Sequence, residues 1–343
     1  MQPPRWTEIA AGVSSPTAVP TGERRVTLFV RGQCGELLAL HRDGVAWSGP
    51  RSLGIPLARS AGAASPELPI DWPVAACATG PEDIQLLARG AEGELVHGTL
   101  HGERWDGFEC IGSPANWIGG IGVPMGLASA PSACSCVPGR MDVFAIGSLG
   151  ALLWSRWDGK EFSEFESLGG VAREGRAEEP LAGSVSATSC GRAIAVAARG
   201  AGGDLVVKWW DGSAWTPFAS LGMPQEPDPI YPAVPCPVPL AGTVVACGGG
   251  SKRLDVFARG QRGDLLHRWW DGKNWSGFES LGFPRSALDR ERIAFTAGSV
   301  ACAWGRFQLD VFARGADGKL YGLAWSGSGP IPGRESEAAP AAE

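Results

Sequence analysis

One short segment recurs six times along the chain. Residues 141–147 (MDVFAIG), 254–260 (LDVFARG) and 309–315 (LDVFARG) are plain copies, and weaker copies end at Gly32, Gly90 and Gly200. The residue before the final glycine of each copy is its anchor, and successive anchors lie 53 to 60 residues apart. The six anchors are Arg31, Arg89, Ile146, Arg199, Arg259 and Arg314. A period of this length is typical of solenoid and propeller architectures.

Fixed positions after each anchor, counted as offsets, divide the repeat into strands. Offset four is always glycine, offset six is always leucine, and five copies carry an aromatic residue at offset sixteen. Glycine-rich hairpins and Asp-Gly turns separate these positions, which predicts strands before the anchor, after offset five and after offset fifteen. A further strand precedes the anchor segment, so each repeat is a four-stranded antiparallel meander. Radial repetition of such sheets protects their edges, which predicts an all-β fold, a β-propeller with six blades.

The two ends of the chain predict how the ring closes. The sixth copy loses its outer strand after Gly327, while residues 6–9 (WTEI) match the outer-strand segment 215–218 (WTPF). The N-terminal strand should therefore complete the last blade. We expect residues 1–332 to form a single propeller, and residues 333–343 to be a disordered tail of Ala, Glu and Pro with nothing to bury.

Composition and charge exclude several classes of protein. Glycine and proline supply 77 of 343 residues without a three-residue period, and 44% of the chain is hydrophobic, so neither collagen nor disorder fits. The apolar runs are far shorter than the ~18 residues of a membrane span. The net charge is −6 and no basic run exceeds two residues, so we expect no nucleic-acid partner. Because residues 1–6 lack a secretory signal pattern, we expect a protein that is cytoplasmic or released without a classical signal peptide.

Nine cysteines are present, and five of them precede the anchor segments in similar positions. We expect these five to share one register of the innermost strand, reduced, buried and without metal, because a small soft side chain fits near a crowded axis. A metal-binding ring of thiols is the alternative. The five are Cys77, Cys134, Cys190, Cys247 and Cys302.

Aromatic and basic residues at offsets nine to eleven are the candidate ligand contacts. Offset eleven is aromatic in four copies but is Arg42 and Leu100 in the first two, whereas the offset-sixteen aromatic persists and favours a packing role. Strand alternation places offsets ten and eleven on opposite faces. An aromatic ring stacks on the apolar face of a sugar, and a basic group donates to its hydroxyls. The candidate residues are Trp157, Lys208, Trp209, Trp210, Arg268, Trp269 and Trp270.

Other recurring polar residues favour structural roles. The anchor arginines can tie down neighbouring carbonyls, with a ligand hydroxyl as the alternative, and the aspartates of the Asp-Gly turns are expected to form the turns themselves. His97 and His267 occupy equivalent positions of different blades and cannot share a metal. No Ser-His-Asp arrangement, phosphate loop or metal-ligand cluster is visible, so we expect no cofactor and no metal site.

The repeat resembles that of the PLL-type bacterial β-propeller lectins. The residues that carry the resemblance are the Asp-Val-Phe-x-Arg-Gly segment, residues 265–272 (LLHRWWDG) and residues 275–282 (WSGFESLG). The resemblance covers about residues 5–327 and implies binding of glycans, typically L-fucose and related or O-methylated sugars, in pockets between blades. The better-known members have seven blades, whereas six are counted in this chain.

Two other functions remain open at this point. Long inserts between blades could bring carboxylates to the mouth of the channel for acid–base catalysis, namely Asp71, Glu82, Asp83, Asp228 and Asp289. A protein-interaction scaffold is the third hypothesis. The sequence leans against an enzyme and leaves the oligomeric state open.

Overall fold

The computed structural model describes residues 7–11, 16–22, 25–43, 46–59, 68–118, 121–227, 231, 233–286, 291–304 and 308–326. Every regular element in these ranges is a β-strand, and none of them forms a helix long and apolar enough to cross a membrane. The tail predicted over residues 333–343 and the predicted strand residue Trp6 lie outside the described ranges.

The first half of the chain supplies one N-terminal strand, three blades and two hairpins. The first strand is β1 (Thr7–Ala11). Blade I contains β2 (Thr17–Pro20), β3 (Arg25–Arg31), β4 (Leu37–Asp43), β5 (Ala46–Trp47) and β6 (Arg51–Ser52), and the next hairpin contains β7 (Leu57–Arg59) and β8 (Leu68–Pro69). Blade II contains β9 (Ala75–Ala78), β10 (Asp83–Arg89), β11 (Leu95–His101), β12 (Arg104–Trp105) and β13 (Phe108–Gly112), followed by β14 (Ala115–Ile118) and β15 (Ile121–Pro124). Blade III contains β16 (Ser132–Cys134), β17 (Met141–Ile146), β18 (Leu152–Trp157) and β19 (Glu166–Ser167).

The second half supplies three further blades and one hairpin. Blade IV contains β20 (Leu181–Cys190), β21 (Ala193–Gly200), β22 (Leu205–Trp210) and β23 (Ala219–Gly222), followed by β24 (Gln225–Pro227) and β25 (Pro235–Pro237). Blade V contains β26 (Val244–Gly248), β27 (Leu254–Arg259), β28 (Leu265–Trp270) and β29 (Glu279–Ser280). Blade VI contains β30 (Phe295–Trp304), β31 (Gln308–Gly315) and β32 (Lys319–Ser326).

The six blades confirm the predicted β-propeller. Within each blade the strands pair antiparallel, and in blades I and II the two short outer strands both pair with the third strand. The first strand of each blade packs against the first strands of its neighbours around the axis. Blade II is larger than predicted, because β7 pairs parallel with β13 and brings β8 into the same sheet.

The predicted closure of the ring is also confirmed. Strand β1 pairs antiparallel with β32, from Thr7 opposite Gly322 to Ala11 opposite Lys319, and so forms the outer strand of blade VI. An ion pair of 2.8 Å between the side chains of Lys319 and Glu8 joins the same two strands. The ring therefore closes through backbone hydrogen bonds between the two ends of the chain.

Six hydrophobic clusters lie at the six interfaces between blades and make up the core. The face of each blade that carries offsets seven, nine and eleven is turned toward the preceding blade. The face that carries offsets six, eight and ten is turned toward the following blade. We call these the odd face and the even face. Every groove between blades is therefore lined by the even face of one blade and the odd face of the next.

The innermost strands enclose an axial cavity of about 360 Å³ lined by small residues. Serine and threonine hydroxyls join neighbouring innermost strands. The Ser132 hydroxyl accepts from the amide of Ala187, and the Ser186 hydroxyl accepts from that of Ala246, each at 2.9 Å. These bonds satisfy backbone donors that face a neighbouring blade instead of a strand partner.

The prediction of one shared cysteine register is only partly right. Cys77, Cys134 and Cys247 lie opposite the residue four positions before the anchor, but Cys190 pairs with Ala193 and Cys302 with Val311, which are different registers. Cys190 stands nine residues before its anchor, whereas the other four cysteines stand twelve before theirs. Cys302 keeps the spacing of twelve, but β30 contains a register shift. Cys77, Cys134, Cys190 and Cys247 are buried, as predicted, whereas the side chain of Cys302 lies outside the described part.

Candidate functional site

The candidate ligand residues are distributed over four grooves. Trp157 lies on the odd face of blade III, in the groove between blades II and III. Lys208 and Trp210 share the odd face of blade IV, and Trp209 lies on its even face, opposite Trp270 and Arg268 of blade V. Trp269 lies on the even face of blade V, toward blade VI, as alternation predicts.

The groove between blades IV and V brings three candidate residues together. The rings of Trp209 and Trp270 lie 5.1 Å apart at 53°, and the guanidinium of Arg268 lies 5.0 Å from the centre of the Phe278 ring. Arg268 donates through Nη1 to the carbonyl oxygen of Leu221 on the outer strand of blade IV. The groove therefore combines a cation with half-buried aromatic rings.

Arg268 has no carboxylate partner among the described residues. Its buried Nε has no hydrogen-bond partner there either, as is also true of the anchor Arg199. Desolvation by burial lowers the pKa of its guanidinium. A partly desolvated cation of this kind gains from any ligand that offers an acceptor.

The groove between blades III and IV repeats this arrangement in a more buried form. The ammonium of Lys208 lies 5.1 Å from the Phe218 ring centre, and Trp210 packs between Trp154 at 6.0 Å and Trp215 at 5.5 Å. Lys208 is only 7% exposed, so a ligand has less access to it than to Arg268. Burial lowers the pKa of Lys208, and the charge of Glu178 partly opposes this shift.

Among the described residues, none at the same depth of the groove between blades II and III is a cation. Serine occupies offset nine at Ser155, and Trp157 packs against His97, with ring centres 5.6 Å apart. Burial lowers the pKa of His97 to about 4, so its imidazole is neutral at pH 7. Arg156, next to Trp157 in sequence, instead lies over Trp154, with its guanidinium 4.4 Å from the ring centre.

Trp269 takes part in a buried polar network rather than an open site. The Arg253 guanidinium lies 4.3 Å from the centre of its ring and also forms an ion pair with Asp255. His267 bonds Asp255 through Nε2 at 2.9 Å and Glu279 through Nδ1 at 2.7 Å. Burial alone would lower the pKa of His267, but these two carboxylates raise it above its usual value.

The expected contrast between offsets eleven and sixteen is not seen in the structure. Trp210 and Trp215 belong to one cluster, as do Trp270 and Trp275, and all four side chains are half-buried. Both positions extend the odd face toward the preceding blade. Whether an aromatic residue recurs in every copy therefore does not show whether it packs in the core or contacts a ligand.

The groove between blades VI and I, where the ring closes, contains an ion pair that the sequence did not predict. Arg42 occupies offset eleven of blade I and forms a bidentate ion pair with Asp310 of blade VI. Arg42 is 8% and Asp310 1% exposed. The available sequence signal was an arginine at offset eleven, where four other copies carry an aromatic residue. Its carboxylate partner, however, lies 268 residues away along the chain.

Three of the five anchor arginines have the structural role that the sequence favoured. Arg89, Arg199 and Arg259 each donate to a backbone carbonyl of the segment that enters the next blade. The acceptors are Leu127 at 2.5 Å, Leu240 at 3.2 Å and Phe295 at 2.6 Å. These bonds join successive blades at one end of the strands.

Three of the four aspartates of the Asp-Gly pairs at offset twelve form their turns, as predicted, and the turn after Asp43 lies outside the described residues. In Asp158, Asp211 and Asp271, Oδ1 accepts backbone N–H bonds from the residues two and three positions later, at 2.7 to 2.9 Å. These backbone hydrogen bonds lower the pKa of all three carboxyl groups.

The carboxylates of the enzyme hypothesis that the structure describes lie at two different ends of blade II. Asp71 forms an ion pair with the anchor Arg89, at one end of β10, whereas Asp83 begins that strand at its other end, next to Glu82. For Asp71, Glu82 and Asp83 the expectation of one shared channel mouth is wrong, because the insert and the β9–β10 turn lie at opposite ends of the blade. Asp228 and Asp289 lie outside the described residues. Among the residues that the structure describes, no group of three or more His, Cys, Asp or Glu could hold a metal ion.

Comparison with known proteins adds one partial family match. A repeat of unknown function, DUF346, matches residues 254–282, which contain β27, β28 and β29. A search of curated proteins finds no match.

Several solved structures resemble the chain along most of its length. A lectin of Aleuria aurantia, solved with Fucα1-6GlcNAc, has a TM-score of 0.61 and 16% identity, and the match covers 93% of this chain and 94% of that one. The SapL1 lectin, solved with α-methyl fucoside, has a TM-score of 0.59 and 15% identity over 93% and 94%. The BP39L lectin of Burkholderia pseudomallei has a TM-score of 0.56 and 21% identity over 90% and 79%. At these identities the likeness shows the shared propeller fold.

Proposed function

We propose that this protein is a carbohydrate-binding propeller lectin whose sugars bind in the grooves between blades. The observation that carries the proposal is Arg268, a cation that lies over Phe278 and beside Trp270 with no carboxylate partner in the described residues. The equivalent groove with Lys208 and Trp210 is the second proposed site. The narrower assignment to the PLL-type lectins is part of the proposal.

The chemistry of the groove between blades IV and V suits a sugar. The C–H face of a pyranose packs on an aromatic ring, while its hydroxyls accept hydrogen bonds from a guanidinium that still has free N–H groups. Because Arg268 is held against Phe278 and the Leu221 carbonyl, its position is fixed before a ligand arrives. Such pre-organisation lowers the entropy cost of binding.

The class of sugar is proposed from the resemblance of the repeat and supported by the neighbours. The Aleuria aurantia and SapL1 structures contain fucosides, so we propose a fucose-like ligand for this chain. An O-methyl group would add apolar contact with Trp209 or Trp270, which supports O-methylated sugars as ligands. Shallow single sites bind weakly, and two sites on one ring would gain affinity for a surface that carries many glycans.

Calorimetric titration with methyl α-L-fucoside tests the proposal. Arg268→Met keeps the packing on Phe278 but removes the donors, and we expect it to weaken binding in that groove about tenfold or more. The matched control is Arg262→Met, since Arg262 is an exposed arginine of the same blade that pairs with Glu226. A wild-type chain that binds no sugar in this titration or on a glycan array would refute the function.

A further inference from the structure

Blade III carries a pair of cysteines that take no part in the proposed sugar sites. Cys134 ends β16, and Cys136 follows two residues later, where the chain bends away from the strand. Cys134 belongs to the hydrophobic cluster between blades III and IV, and Cys136 packs against the same cluster. Both residues are thiols in the structure.

The spacing of this pair allows its two sulfurs to meet. Residues i and i+2 of a strand point to the same face with Cα atoms about 6.6 Å apart, and a disulfide needs a Cα separation of about 4.4–6.8 Å. The Cys134 thiol donates a hydrogen bond to the Cys136 sulfur. The Cys136 thiol in turn donates to the carbonyl oxygen of Ala193 on blade IV at 3.5 Å. The two sulfurs are therefore already neighbours.

A carboxylate faces the same pair. Asp142 lies directly opposite Cys134 in the antiparallel pairing of β16 with β17. Side chains in such a pair share one face of the sheet, with Cβ atoms about 4.5–5.5 Å apart. Asp142 forms no ion pair within the described residues, and it accepts a hydrogen bond of 2.9 Å from Trp154 Nε1. Burial raises the pKa of Asp142, which makes its carboxylate a stronger base than an exposed one.

The hydrogen bond between the two thiols makes them chemically different. It lowers the pKa of the Cys136 thiol against the effect of burial, and it raises the pKa of Cys134, which burial raises further. Because the thiolate is the nucleophile, Cys136 is the sulfur that reacts first. Cys136 is half-buried and Cys134 lines the axial cavity, so a small molecule can reach both.

The equivalent cysteines of blades II and V lack a second thiol. Cys77 and Cys247 occupy the position of Cys134, but Thr79 and Gly249 stand two residues after them. These two buried cysteines are therefore references within the same chain, because they share the register of Cys134 without its neighbour.

We propose that Cys134 and Cys136 form an oxidation site, at which hydrogen peroxide converts the two thiols into a disulfide. The Cys136 thiolate attacks one peroxide oxygen and the O–O bond breaks. The leaving hydroxide takes up the proton that Cys136 lost and departs as water, which leaves a sulfenic acid on Cys136. Asp142 then accepts the proton of Cys134, whose sulfur attacks the Cys136 sulfur, so that the S–S bond forms and the S–O bond breaks. The second hydroxide takes that proton from Asp142, so two thiols lose two electrons and the peroxide is reduced to two waters.

The experiment treats the reduced full chain with hydrogen peroxide and then blocks the remaining thiols with N-ethylmaleimide in denaturant. Mass spectrometry of chymotryptic peptides identifies the products. We expect the peptide that contains Cys134 and Cys136 to lose two hydrogens and to carry no maleimide, whereas Cys77 and Cys247 are labelled. Cys136→Ser should abolish this product, and in Cys134→Ser the sulfenic acid on Cys136 should be trapped by dimedone. Cys77→Ser is the matched control and should form the disulfide like the wild type.

Asp142→Asn tests the proposed base. The amide oxygen can still accept the bond from Trp154, so we expect a folded chain in which the Cys136 sulfenic acid lasts about tenfold longer or more. Dimedone trapping at successive times measures this lifetime, and an unchanged lifetime would overturn the role of Asp142.

The map of the wild-type chain decides the inference even where a cysteine variant does not fold. Maleimide on both Cys134 and Cys136 after peroxide treatment would overturn it. A disulfide that joins either of them to another cysteine would overturn it as well.

Discussion

The groove that closes the ring and the groove between blades IV and V each contain an arginine from the third strand of a blade. In the closing groove, Arg42 is paired with Asp310 and both are buried. In the other, Arg268 lies over an aromatic ring and bonds only a backbone carbonyl among the described residues. In the closing groove a carboxylate lies opposite the arginine, and the ion pair joins two blades. In the groove between blades IV and V no carboxylate of the described residues pairs with the arginine, which keeps N–H donors for a ligand.

Deleting residues 1–11 should produce the largest effect. The deletion removes β1, so the edge of β32 is unpaired and the apolar surface under Ile9 and Ala10 is exposed. We expect the chain to lose its cooperative thermal transition or to aggregate, as measured by circular dichroism and size-exclusion chromatography. Removing residues 333–343 is the control. An unchanged melting temperature in the N-terminal deletion would contradict the closure.

Arg42→Met should destabilise the protein by about 3–5 kcal/mol, because it removes the ion partner of a buried carboxylate. Arg268→Met should cost only about 1 kcal/mol, the value of one hydrogen bond, since it leaves no buried charge behind. Urea unfolding of the two variants measures the difference. Adding Asp310→Leu to Arg42→Met should restore most of the lost stability, and equal costs for the two single variants would break the comparison.

Trp270→Ala should have an intermediate effect on stability and a large one on binding. Its ring is half-buried against Trp209 and Trp275, so we expect a cost of about 2 kcal/mol, below the ~3–5 kcal/mol of a fully buried Trp. Binding of fucoside in the groove between blades IV and V should be lost. Trp269→Ala, on the opposite face of the same strand, should retain that site in calorimetry. A Trp270→Ala chain with full stoichiometry would show that the ring is packing alone.

Two histidines at the same offset should change the pH dependence of stability, and the two changes differ in sign. Because the pKa of His97 is lowered to about 4, the unfolded chain takes up a proton that the folded chain does not, and stability is lost as the pH falls from about 6.5 to 4. His267 has a raised pKa, so its contribution is present below pH 6.5 and is lost as the pH rises through the raised value. The free energy of unfolding is measured in urea from pH 4 to 9. In His97→Gln it should no longer fall between pH 6.5 and 4, and in His267→Gln it should no longer fall as the pH rises. Identical slopes in both variants would contradict these assignments.

Much of the fold could be predicted because it depends on local signals that repeat. The glycine turns, the Asp-Gly pairs and the strand alternation are short-range features, and six copies of them give six blades. The missing outer strand after Gly327 and the spare strand at the N-terminus could be matched by sequence alone. The roles of the turn aspartates and anchor arginines followed from the same local chemistry.

The grooves could not be predicted in the same way, because each one is made by two chain segments that belong to different repeats. Alternation places a side chain on a face, but the residue it meets depends on how the neighbouring sheet is twisted and shifted against it. Only the tertiary structure pairs Arg42 with Asp310 and leaves Arg268 without a carboxylate in the described residues. The sequence by itself determined the blade and the number of blades, since a strand is specified by its own residues. Contacts between blades decided which groups remain free to bind, because the charges and volumes of side chains on one blade must match those on the blade that faces it.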